Sequence, residues 1–415
     1  MKRKAILPWI SIALALASAV SIYFLPEYHL WFLAILLINL LASFVFAKKY
    51  SNTALTVCRL LVGALFIFSS FTKGVDPLGT KYKMLDYLSV YGMTWLNDFA
   101  LILAMGMILA MGMILAEFLV GICLITKVLP RLAVLGATLL MLFFTITTLF
   151  DALYDLVPDC GCFGTAIKMS NWQTFYKNLV IDAILVPLII NNRQLKNRLG
   201  IVVQLLVGCF FAAAFLGFEI YNYRHLPVVD FMNWKVGKQM NAEPAETQTY
   251  LVYRNKATGE TQEYISPNYP WNDSLWMSQW EFVEQRTEGG ANFLGFSALD
   301  EDGNDVTESI LTTDNLLMFT SHDLTKVTEK EWEKVKTITE AAEKQGYTVI
   351  WTVANEPEYV EQLREKYDFL YEVYYADELE IKPIVRSNPG LIWLDNGLVK
   401  DKWSAVDFNK VLKDL

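Results

Sequence analysis

The sequence predicts a membrane all-α helical bundle of about seven transmembrane helices, followed by a soluble α/β domain with a β-rich insert. Three observations predict it. Of 415 residues, 54% are hydrophobic and the mean hydropathy is +0.30, more apolar surface than a water-soluble chain of this length needs. Seven apolar stretches are long enough, or nearly so, to cross the ~30 Å of bilayer hydrocarbon. Charge is also split unevenly: residues 1–223 carry 16 Lys/Arg against 10 Asp/Glu, and residues 224–415 carry 19 against 34. The acidic half excludes nucleic acid as a partner, because phosphate repels it.

The apolar stretches cover approximately 6–25, 30–47, 54–72, 99–124, 131–151, 175–190 and 200–221. The first follows Lys2, Arg3 and Lys4 and ends in a signal-peptide-like ALASA, but its apolar run is long for a cleaved leader and fits a retained helix better. The fourth contains a tandem LAMGMI hexapeptide. Positive charges set the orientation. With the N-terminus inside, ten Lys/Arg fall in inner segments. Five (Lys73, Lys81, Lys83, Lys168 and Lys177) fall in short outer loops. Seven crossings then put the 152–174 loop and residues 222–415 on the same outer side. The division reads as an N-terminal transmembrane hairpin (1–53), a helical bundle (54–190), a last helix with its linker (191–225), a β-rich insert (226–290) and an α/β domain (291–415).

Five cysteines are present. Cys58, Cys123 and Cys209 lie in apolar runs, whereas Cys160 and Cys162 belong to the polar loop Asp-Cys-Gly-Cys-Phe-Gly at 159–164. A Cys-X-Cys pair can close only a small ring, and Gly161 gives the backbone freedom that closure requires. Such a strained disulfide exchanges readily. Rival readings are a disulfide or thiols that merely fix a turn, and metal capture. Two thiolates with few histidines make an incomplete zinc site, so no metal is expected. Asp182 is the nearest intramembrane acid in depth, about 10 Å below the outer surface, and is a candidate proton relay.

Two further charges lie inside spans. Arg59 and Glu117 come out at similar depth near the inner face, which predicts an ion pair between them with a packing role. Gly63 and Gly121 each follow one of these charges by four residues, which predicts a close helix contact. Lys73 stands at the outer mouth of its span, able either to attract an anionic or quinone head group or simply to snorkel.

Beyond 291, FLGFSALDEDGNDVTESI predicts a hairpin turning at Asp302-Gly303-Asn304. A buried strand at 316–320 follows, then a charged helix over 328–344, a strand at 347–353 and a helix from Pro357. FLYEVYY is a further strand. SNPGLIWLDNGLVKDKW reads as strand, Asn396-Gly397 turn, strand, before a final helix carrying Val406, Phe408, Val411 and Leu412. This pattern is an α/β open sheet. Before it, YLVYRNKATGETQEYI predicts a hairpin around Gly259, and 268–282 is rich in Trp, Tyr and Pro.

The order Arg59, Gly63, Lys73, Glu117, Gly121 and Cys160-Gly-Cys162-Phe-Gly164 across residues 54–190 resembles the DoxX/MauE family of redox-associated membrane proteins. The resemblance implies a bundle in the inner (cytoplasmic) membrane. It would support disulfide formation or electron transfer to periplasmic thiol proteins, with a membrane quinone as the cofactor such chemistry would use. Residues 291–415 resemble TlpA-type thioredoxin-like domains, with Pro389 at the cis-proline position. That fold's Cys-X-X-Cys is replaced by Ser321-His322-Asp323-Leu324, so this domain cannot exchange disulfides and is expected to bind a partner. His322 is either an acid/base or a solvated loop residue. The rival to redox exchange is a non-enzymatic envelope scaffold whose Cys-Gly-Cys loop is structural.

Overall fold

In the computed structural model, the described residues are 6–24, 29–91, 100–157, 161–197, 199–240, 248–256, 258, 260–265, 270, 274–288, 296–367 and 371–414. Cys160 lies outside them, as do Lys2, Arg3, Lys4, Asp98, Asp159, Arg198 and Gly259. The chain forms two compact units, Met1–Phe231 and Met232–Leu415.

The first unit is helical throughout: α1 (Leu7–Phe24), α2 (His29–Phe46), α3 (Asn52–Val75), α4 (Pro77–Val90), α5 (Ala100–Thr126), α6 (Pro130–Tyr154), α7 (Asn171–Ile190) and α8 (Ile201–Arg224). Among the described residues, six helices are long and apolar enough to cross a bilayer, namely α2, α3, α5, α6, α7 and α8. The chain is a multi-pass membrane protein. Helix α1, 18 residues long, is also apolar and without a charged residue. Helix α4 corrects the expectation of a plain outer loop. Asp76 caps it by accepting from Gly79 N (2.9 Å) and Pro77 takes the first helical position, two start signals that a search for apolar runs passes over.

Helices α3 and α5 pack backbone to backbone. A Cβ on Gly63 would stand 3.0 Å from the Gly121 carbonyl, and one on Gly121 would stand 2.9 Å from the Gly63 carbonyl. This is the close approach that the glycine spacing predicts. Around it Cys58, Val62, Phe66 and Leu124 join Leu179, Ile184 and Leu188 of α7 in one core.

The second unit contains β1 (Gln248–Asn255), β2 (Thr261–Ile265), α9 (Ser274–Gln279), β3 (Trp280–Glu288), α10 (Thr307–Thr312), β4 (Leu316–Ser321), α11 (Glu329–Lys344), β5 (Thr348–Val353), α12 (Pro357–Tyr367), β6 (Glu372–Tyr375), α13 (Glu378–Ile381), β7 (Gly390–Asp395), β8 (Leu398–Ser404) and α14 (Phe408–Asp414). One sheet is antiparallel with order β2-β1-β3. The other has order β6-β5-β4-β7-β8, in which β4, β5 and β6 run parallel and β7 and β8 are antiparallel. All six residues of β4 are buried, as expected of a central strand covered on both faces. Stacked rings fill one face: Phe319 on Trp351 (5.2 Å), Trp351 on Trp332 (5.1 Å) and Trp332 on Tyr367 (4.9 Å).

Several expectations need correction. The turn at Asp302-Gly303-Asn304 forms, but among the described residues its strands amount to a single Leu299–Asp305 bridge, because helix α10 begins at Thr307, whose N donates to Asp305 (2.9 Å). Residues 232–240 are not part of the insert: Gly237 N and Met240 N donate to the carbonyls of Val399 and Gly397, which ties them to the β7–β8 hairpin. In that hairpin Asn396 and Gly397 both have positive φ (47° and 73°), as an Asn-Gly turn between antiparallel strands requires. Of the four apolar residues assigned to the final helix, Phe408 and Val411 are buried, while Val406 precedes it and Leu412 faces solvent.

Gly63→Leu should overpack α3 against α5 and destabilise the protein by about 1–3 kcal/mol. Gly112→Leu, where a Cβ meets nothing within 4 Å, should be neutral. Unfolding midpoints of the two purified variants in detergent test the difference.

Candidate functional site

Residues 161–164, the described part of the Cys-Gly-Cys loop, are clamped on the end of α3. Gly164 has φ +54°, and a Cβ there would stand 3.0 Å from the Thr72 carbonyl, so only glycine lets the loop lie this close. Gly161 also has positive φ, and Gly164 N donates to its carbonyl (2.9 Å). Phe163 packs on Phe68 at 5.3 Å, and Lys177 Nζ stands 4.7 Å over the Phe163 ring. Asn171 Nδ2 closes the loop's two ends by donating to Asp155 Oδ1 (2.8 Å) and the Val157 carbonyl (2.9 Å).

Beneath the loop is a buried ion pair. Lys73 Nζ lies 2.6 Å from Glu117 Oε1, with both side chains almost wholly enclosed. The Ser69 hydroxyl is 2.9 Å from Glu117 Oε2 and 2.9 Å from the Cys162 carbonyl, so its single proton serves either acceptor. Lys73 Nζ also stands 5.1 Å over the Phe144 ring. Ser69, Lys73, Glu117, Cys162, Lys177 and Asn178 line one small cavity floored by Phe66, Met141, Phe144 and Ile181.

This arrangement overturns the Arg59–Glu117 pair. Arg59 instead donates to the carbonyls of Leu124 and of Ile125 (2.8 Å), which belong to the last turn of α5 and have no partner within the helix. The cause is the tilt of helical side chains toward the N-terminus of their own helix. On α3 that tilt carries Arg59 down to the end of α5, and it carries Lys73 down to Glu117. Glu117 is therefore part of the cysteine-side site, not remote from it, and Lys73 is buried and paired rather than snorkelling.

Asp182 also moves. Helix α7 starts at Asn171, so the acid is eleven residues into it, ~16 Å at ~1.5 Å per residue. Its Oδ2 accepts from Thr145 Oγ1 (2.8 Å), and Asn178, one turn nearer the loop, takes the place in the cavity. Residues that sequence reasoning missed are Ser69, Asn178 and Asp151. Asp151 is fully buried at the end of α6, accepts from Tyr87 and lies within electrostatic reach of Cys162. Ser69 had a usable signal, since it precedes Lys73 by four residues on the same helical face.

In the second unit, Ser321, His322 and Asp323 leave the end of β4 beside the cis Asn388–Pro389 bond. Ser321 Oγ donates to Asn388 Oδ1 (2.8 Å), Asn388 Nδ2 donates to the Asp323 carbonyl (2.7 Å), and Asn355 Oδ1 receives Leu324 N (2.8 Å). Burial, with the Lys382 and Lys326 charges, pushes the His322 imidazole down to about 4 against the opposing pull of Glu378 and Asp323. It is neither a solvated histidine nor a general acid near neutral pH.

Residues 51–191 match the family model described as methylamine utilisation protein MauE. The match covers roughly a third of the chain, from α3 through α7, and takes in Arg59, Lys73, Glu117 and the cysteine pair. No curated protein and no solved structure matches the chain. Among the described residues no group of three metal-ligating side chains converges.

Lys73→Met should leave Glu117 buried and unpaired and destabilise the protein by about 3–5 kcal/mol, while Lys73→Met with Glu117→Leu should regain most of it, measured by unfolding in detergent. His322 should titrate in the folded protein near pH 4, followed by its imidazole NMR resonances. Because the unfolded ring takes up a proton from about pH 6.5, stability of this unit should fall between pH 6.5 and 4, and His322→Gln should flatten that slope.

Proposed function

We propose that the membrane segment 51–191 exchanges thiols and disulfides with cell-envelope proteins through Cys160 and Cys162, and that the second unit is a thiol-free thioredoxin-like domain that holds the partner. The observation that carries this reading is the seat of Cys162, whose carbonyl shares the Ser69 hydroxyl with the buried Glu117–Lys73 pair. A loop that only needed to turn would not require an ion pair beneath it. The MauE-like match, a family likeness shared by redox-associated membrane proteins, supports the same reading.

The exchange balances without a further reagent. A partner thiolate attacks one sulfur of the Cys160–Cys162 disulfide, the other sulfur leaves as thiolate, and a mixed disulfide forms. A second partner thiolate then attacks the mixed disulfide, so the partner leaves oxidised and the pair is left as a dithiol. Reversal with a more oxidising partner disulfide restores the pair. The Lys177 ammonium, lining the same cavity as Cys162, supplies positive charge where a leaving sulfur carries negative charge. The cavity volume of about 30 Å³ accommodates a water and not a quinone ring, so no step here runs through a quinone.

The thioredoxin-like reading rests on the sheet order β6-β5-β4-β7-β8 and on Asn388–Pro389, cis and adjoining the Ser321-His322-Asp323 turn. Sidedness follows by parity: α7 and α8 separate the cysteine loop from the second unit, so two crossings return the chain to the loop's side whether or not α1 spans. With the N-terminus cytoplasmic and α1 crossing as the first span, that side is the periplasm. A second reading, an envelope assembly protein with a structural loop, is favoured by the tight seat of Gly164 on Thr72.

Alkylation of accessible thiols before and after mild reduction separates the two. Exchange predicts that reduction exposes both sulfurs of the pair and that Cys160→Ser or Cys162→Ser traps mixed disulfides with envelope proteins. A pair unchanged by mild reduction, with both variants fully functional, would leave the assembly reading standing.

A further inference from the structure

Glu219 has no part in the cysteine site and lies in α8, outside the MauE-like segment. It is fully buried, and among the described residues neither of its carboxylate oxygens has a hydrogen-bond partner. The space it fills exists because residue 74 of α3 is glycine. A Cβ on Gly74 would stand 3.1 Å from Phe215, 3.3 Å from Phe218 and 3.6 Å from Glu219 Cγ. Aromatic stacks flank that space, Phe118 on Phe215 at 3.9 Å and Phe71 on Phe218 at 5.5 Å.

The helices packed against α8 are α3, α4 and α5. Several of their ionisable groups near this end have partners other than Glu219. Lys73 holds Glu117, Asp76 accepts from Gly79 N, Tyr87 donates to Asp151, and the Lys81 chain lies along Gly106. Tyr82, Lys83 and Asp86 complete the set on α4, and among the described residues none of these groups bonds to the Glu219 carboxylate. An ionised carboxylate without a partner is not tolerated in such surroundings, and the group neutralises instead. A metal cation would need several oxygen ligands, whereas the nearest walls here are rings and a glycine.

We propose that Glu219 is a proton-binding site of the membrane unit, held as the neutral carboxylic acid while α8 packs on α3 and releasing its proton only when that contact opens to water. The site is independent of the cysteine reading, and either can fail without the other.

The test uses the full-length protein in liposomes at neutral pH with dicyclohexylcarbodiimide, an apolar reagent for protonated carboxyls. The acid's proton moves to one reagent nitrogen as the carboxylate oxygen adds to the central carbon. Nothing leaves, and the adduct carries the whole reagent mass. Peptide mass spectrometry should find the adduct on Glu219, none on the ion-paired Glu117, and its loss in Glu219→Gln. The infrared spectrum should show a protonated-carboxyl stretch that disappears in the same variant. An unlabelled Glu219, or a carboxyl stretch that Glu219→Gln leaves unchanged, overturns the proposal. Should Glu219→Gln fail to fold, the site of the adduct in the unmodified protein decides alone.

Discussion

Charge in lipid must be paired or neutral, and that constraint organises the membrane unit. Lys73 and Glu117 are both enclosed, and each is tolerable only because the other is 2.6 Å away. The pair fixes the register of α3 against α5, which in turn brings Gly63 opposite Gly121 and lets the backbones touch. Ser69 then extends the pair upward to the Cys162 carbonyl, so the position of the cysteine loop is inherited from a charge contact made inside the bundle.

The two units divide the chemistry. All five thiols belong to the membrane unit, and the second unit has none. After β4, Ser321, His322 and Asp323 are knitted to Asn388 and Asn355, and burial disfavours the charged form of His322. Without a thiol, the second unit cannot itself exchange disulfides, so in the proposed reading that exchange falls to the loop at the membrane.

Much of this was legible in the residues. The six qualifying spans, the charge asymmetry, the glycine contact and the Asn396-Gly397 hairpin all follow from length, periodicity and backbone preference. The pairing of charges was not, because depth alone gave Arg59 and Glu117 the same level while the direction of helical side chains assigns them different partners. Helix α4 was hidden by its polar sequence, although Asp76-Pro77 announced its start. Glu219 escaped notice because one acid near the end of an apolar run gives no pattern, and only the packing reveals that no described residue hydrogen-bonds to it.

Arg59 occupies the terminal carbonyls of α5 and thereby fastens the start of α3 to the end of α5. If the two helices part during turnover, they do so as scissor blades about that rivet. Displacement then grows with distance from it, is least where Arg59 holds α5, and reaches its largest amplitude where Gly164 rests on Thr72.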